Sequence, residues 1–108
     1  MKTEWENECL TVYLTGEIDH HAAQDAREEI EDALQKTGSR NLRMDFSGVT
    51  FMDSAGIGLI LGRYRRMKEL GGKLRIVHAS SRMERMMHMA GLGEIHIIES
   101  SKKGEIRK

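Results

Sequence analysis

The sequence predicts one α/β domain: a mixed, mostly parallel sheet of about four to five strands with helices packed on it. Three observations carry this. Short alternating runs take turns with longer runs of helical period along most of the chain. An extended run precedes the first clear strand closely enough to pair with it as a hairpin, which makes the sheet mixed. And 108 residues are enough for one core but not two, with no proline to interrupt an element.

In order along the chain, "CLTVYLTG" alternates and is β-branched, so Cys9–Thr15 reads as a strand. "KTEWENE" before it reads as a short edge strand, with Asn7 and Glu8 at the turn. The period then changes: Ala23, Ala26, Ile30, Ala33, Leu34 and Thr37 share one helical face, with acids towards its start, Lys36 near its end and Gly38 as a stop. Asp19 stands at the start of this helix as cap or turn residue. "NLRMDFSG" is the next strand, and "VTFMD" connects it to a helix beginning near Ser54. There Ile57, Ile60, Leu61, Tyr64 and Met67 share a face, Arg65, Arg66 and Lys68 sit near the end, and Gly71–Gly72 stop the helix. "KLRIVHA" is a strand. "SSRMERMMHMAGLG" is a third helix, with Ser81 and Glu84 as a capping box and Gly91 at its end. "EIHIIES" is a last strand, and "SKKGEIRK" a polar tail.

Composition narrows the function. The net charge is zero, which argues against nucleic acid as the main partner. The longest apolar run, "AGIGLILG", falls far short of the ~20 residues of a membrane helix, and "MKTEWENE" is no export signal. A single cysteine, Cys9, excludes an internal disulfide and suits a reducing compartment. Charge is unevenly spread: residues 1–32 hold ten acids and two bases, and the remainder seven acids and fifteen bases. This pattern is either the solvated faces of different elements or a field that steers a protein partner.

The chemical candidates centre on "FMDSAGIG". It is not G-x-S-x-G, and none of the five histidines has a spacing that marks it as a partner for a nucleophilic Ser54. His20 and His21 are adjacent, and no metal-ligand spacing occurs. Gly56, Gly58 and Gly62 follow a strand but form neither phosphate-binding glycine motif, so close packing of the helix on the sheet explains them more simply. The unusual feature is that "SAGIGLILG" is apolar nearly all round. Either it is buried on every side, or it exposes an apolar patch of the kind that marks a partner site, with Ser54 at its edge. A phosphate on Ser54 adds about −1.5 to −2 charges. A helix N-terminus tolerates this, whereas an apolar interface beside Asp53 and near Asp19 does not. The same residues also allow Ser54 to be a simple N-cap.

"LTGEIDHHAA" (14–23), "FMDSAGIGLILGRYRRMKELGG" (51–72) and "MAGL" (89–92) together resemble the STAS-domain anti-sigma factor antagonists, nearest to the sporulation branch that antagonises the anti-sigma F factor. The resemblance covers roughly residues 8–99. It implies one STAS domain over 1–108, monomeric and cytoplasmic, with no catalysis of its own and no cofactor. It implies binding to an anti-sigma factor that is also a serine kinase, release of a sigma factor, phosphorylation of Ser54 by that kinase, and reversal by a serine phosphatase. It places Asp19, Asp53, Ser54, Ala55, Gly56, Ile57 and Gly58 on the partner-binding surface. Many relatives carry a second hydroxyl where this chain has Ala55, so Ser54 is the sole hydroxyl of "MDSAG". The third helix lacks an expected phenylalanine, and Met87 stands in the core position. Within the family, the alternatives are a general-stress antagonist or a STAS module for another partner or a nucleotide.

Overall fold

The computed structural model describes residues 1–100; the tail residues 101–108 lie outside the described residues. Strand β1 (Lys2–Glu6) pairs antiparallel with β2 (Cys9–Ile18) through Asn7 and Glu8, both at positive φ (53° and 62°). Two consecutive left-handed residues are what a tight hairpin turn between right-twisted strands needs. Helix α1 (His20–Thr37), β3 (Asn41–Met52), α2 (Ser54–Glu69), β4 (Lys73–Val77), α3 (Ser81–Met89), a 3₁₀ turn (Leu92–Ile95) and β5 (Ile98–Glu99) follow. The sheet order is β1-β2-β3-β4-β5, with every pair after the hairpin parallel.

Because parallel neighbours follow one another in chain order, right-handed crossovers put the helices on one face of the sheet. That face is the core. Leu10, Val12 and Leu14 of β2, Leu42, Met44 and Phe46 of β3, and Leu74 and Ile76 of β4 are buried there. They meet Ile30 and Leu34 of α1, Ile60 and Met67 of α2, and Met83 and Met87 of α3. Met87 is fully buried in this core. The opposite face is polar: Tyr13 donates to Glu4 (2.7 Å) with Lys2 over its ring, and Arg75 pairs with Glu99 (3.0 Å).

Several expected boundaries move. β2 runs on to Ile18 and β3 to Met52, so "VTFM" is strand rather than connection. Register shifts between Tyr13 and Thr15 and between Gly16 and Glu17 let both strands continue through residues that locally read as turn. The first turn of α1 holds no acid; its negative charge is the cap, Asp19. The buried side of α2 is Gly56, Leu59, Ile60, Arg63 and Met67, whereas Ile57, Leu61 and Tyr64 are only half-buried. In α3 the cap is Ser80, whose Oγ accepts from the Met83 N–H (3.1 Å), so the capping box on Ser81 and Glu84 does not form. β4 ends at Val77, where His78 turns to φ 61°. The last strand shortens to two residues, and a 3₁₀ turn bounded by Gly91 (φ 88°) and His96 (φ 58°) takes its expected start.

Arg63 is buried because it reaches α1. Glu31 accepts from Arg63 Nη1 (2.9 Å) and from Arg66 Nε and Nη2 (3.1 and 2.9 Å), which joins the two helices whose first turns form the site below. Arg66 above all, against the opposing effect of burial and with help from Arg63, lowers the Glu31 carboxyl from 4.5 to about 2. A folded-state value below the unfolded one makes this contribution complete above about pH 4.5 and lost as the pH falls towards 2. Its size is on the order of 1–3 kcal/mol. Urea denaturation across this range should show a loss of stability for the wild type that is markedly smaller in Glu31→Gln.

Candidate partner-binding site

Two helices start side by side at one edge of the sheet. Ile18 and Met52 are register partners at the carboxyl ends of the parallel strands β2 and β3. The residues that follow them, Asp19 and Asp53, both leave the strand in extended conformation and cap the next helix. Asp19 Oδ1 accepts from the Ala22 N–H (2.9 Å), and Asp53 Oδ1 from the Ala55 N–H (2.8 Å). The Asp53 N–H also donates to the Ile18 carbonyl (3.4 Å), which ties the two turns together. Strand pairing thus brings two carboxylates, 34 residues apart in sequence, to one edge.

Ser54 is not the cap. Asp53 holds that place, and Ser54 is the first residue of α2, exposed, its hydroxyl without a hydrogen bond among the described residues. The site combines an exposed hydroxyl, a helix N-terminus and two carboxylates. The expected surface residues divide: Asp19, Ser54 and Gly58 are exposed, Asp53, Ala55 and Ile57 half-buried, and Gly56 buried. Gly56 serves the fold. A Cβ there would run into the Met52 side chain, so glycine lets α2 settle on β3 without displacing it. Gly58 and Gly62 differ: a Cβ at either would meet nothing within 4 Å. Close packing therefore accounts for Gly56 alone.

The flank of α2 towards α1 is low. Ala55 and Gly58 face His20, Gln24 and Arg27 of α1 across a shallow groove. No large apolar side chain of α2 is exposed; among the described residues the exposed ones are Met1, Trp5, Phe51 and Met89. An apolar patch near Ser54 does exist, but it lies on the strand side. Phe51, read from sequence as part of a connection, is out of phase with Val49 and Met52 on β3 and is half-exposed. Its isolation from the core pattern becomes visible only once the strand is known to continue. Among the described residues, no group of three or more histidine, cysteine, aspartate or glutamate side chains is arranged to hold a metal. No described helix is long and apolar enough to cross a membrane.

The Asp53 cap gives a direct check. Asp53→Ala removes the acceptor for Ala55, and loss of an N-cap costs ~0.5–2 kcal/mol. Denaturant titration should show a decrease of this size, with the fold retained by circular dichroism.

Comparison with known proteins identifies the family. The STAS domain model matches residues 1–104. The anti-sigma F factor antagonist of Paenibacillus polymyxa is 34% identical over 86 residues, which is 80% of this chain and 74% of that protein. The anti-sigma-B factor antagonist of Bacillus subtilis is 30% identical over 98 residues, 91% of this chain and 88% of that protein. Among solved structures, the Bacillus cell fate determinant SpoIIAA in its phosphorylated form superposes with a TM-score of 0.71 and 29% identity, covering 98% of this chain and 96% of that one.

Proposed function

Because the chain belongs to the STAS domain family, we propose that it is an anti-sigma factor antagonist. It binds an anti-sigma factor that is also a serine kinase, so that the sigma factor is released. The kinase uses ATP to phosphorylate Ser54, the phosphorylated chain lets go, and a serine phosphatase resets it. The chain itself is a substrate and a ligand, without catalysis of its own, and acts in the cytoplasm beside its partners. The names of its relatives support the first part of this reading, and the solution of SpoIIAA in a phosphorylated form supports the second.

The observation that carries the proposal is the exposed Ser54 hydroxyl at the first position of α2, beside the Asp53 cap and on the same edge as Asp19. Its low, uncharged flank at Ala55 and Gly58 lets a partner surface close over the hydroxyl. The helix N-terminus accepts a phosphate within the free chain. A partner packed there has to desolvate that charge next to two carboxylates and is expelled.

The test is run-off transcription from a sigma-dependent promoter silenced by the anti-sigma factor. Added chain should restore transcription in proportion to its concentration. No restoration at large excess, with the silenced complex shown to be reversible, overturns the proposal. A general-stress role is the second reading, favoured by the long match to the anti-sigma-B factor antagonist. Parallel assays with a sporulation and a general-stress sigma factor separate the two.

A further inference from the structure

A groove of about 470 Å³ runs between the end of β3 and α3. Phe51, Met83, Met86 and Met89 supply its apolar surface, with Phe51 half-exposed and Met89 82% exposed. Arg82 and Arg85 also line it, no carboxylate does, and neither arginine forms an ion pair among the described residues.

We propose that this groove docks an acidic amphipathic helix of the anti-sigma factor, as a second contact of the interface centred on Ser54. The inference rests on the proposed function. Three features select this occupant. The groove is open: with Met89 almost wholly in solvent, a small molecule would leave much of its own surface wet, whereas bound small molecules are mostly buried. Unbranched, polarisable methionines beside an aromatic ring adapt to the apolar face of a helix, the usual way such a groove is filled. Two unpaired arginines complement carboxylates flanking that face. They also disfavour this chain's own residues 101–108, which hold four bases and one acid.

The groove and the Ser54 site both lie where β3 ends: Thr50, Phe51 and Met52 line the groove, and Ser54 opens α2. Phe51 lies three residues before Ser54, and α3 starts just beyond the carboxyl end of β4, next to β3 in the sheet. A partner covering Ser54 therefore reaches the groove along one edge of the sheet.

The test measures affinity of the full chain for the ADP-loaded anti-sigma factor kinase at two salt concentrations. Arg82→Glu/Arg85→Glu and Met89→Ser alter exposed side chains, and circular dichroism checks their fold. We expect each to weaken binding roughly tenfold or more. The arginine reversal should also flatten the salt dependence, and Arg82→Lys/Arg85→Lys should retain most of the affinity. Wild-type affinity in the groove variants, alongside loss of binding in Gly58→Trp, overturns the groove and leaves the proposed function standing. A kinase that binds none of these chains, wild type included, overturns both. If the arginine reversal abolishes self-association while kinase affinity stays unchanged, a second copy is the occupant and the proposal fails.

Discussion

Ser54→Ala is expected to hold the anti-sigma factor kinase through repeated addition of ATP, so that sigma-dependent transcription stays on. Wild-type chain should be phosphorylated and released. The difference is large because the phosphate arrives where charge is already concentrated: Asp53 caps the same helix, and Asp19 caps its neighbour on the same edge. A loss of even ~3 kcal/mol of binding is a factor of more than one hundred in affinity. Ser54→Asp sharpens the test by separating stability from binding. An acid in the first turn of a helix is favourable to the fold by ~0.3–1 kcal/mol. That variant should therefore melt no lower than wild type and yet bind the kinase poorly. Rapid ATP-driven release of Ser54→Ala, or wild-type affinity in Ser54→Asp, counts against expulsion by charge.

Gly58 should give effects of opposite sign for folding and for function. A glycine in a helix interior costs ~0.5–1 kcal/mol relative to alanine, and a Cβ at Gly58 meets nothing. Gly58→Ala should therefore raise the unfolding free energy by about that amount. An exposed position that is less stable than it need be fits a surface kept low for contact. Gly58→Trp, its fold checked by circular dichroism, should lose kinase binding by roughly a hundredfold or more, as a large side chain stands where the partner must approach. Near-wild-type affinity in Gly58→Trp would remove this flank of α2 from the interface.

The order of elements was legible because hydrophobic period changes cleanly from two to three or four between "CLTVYLTG" and the helix after Asp19, and again around Ser54. Asp19 as a cap was legible too. The other cap was not, since aspartate and serine are both good N-caps and stand together as Asp53–Ser54. The choice depends on how far β3 continues, and that depends on its pairing with β2 across two register shifts. The same pairing turns Phe51 from a loop residue into an exposed strand residue. "EIHIIES" alternates as a strand should, but a 3₁₀ turn bounded by the left-handed Gly91 and His96 takes its first two residues, Glu94 and Ile95. Arg63 lies just before the basic residues Arg65, Arg66 and Lys68, and its burial comes from Glu31, 32 residues earlier. Contacts of this kind leave no local pattern.

The most direct measurement of the central claim is intact mass with site mapping, after incubation of the chain with the anti-sigma factor kinase and ATP. The account predicts a single phosphate, on Ser54, and none on Ser54→Ala. An unmodified chain, with the kinase shown to be active on another substrate, would contradict it and leave Ser54 as no more than the first residue of α2.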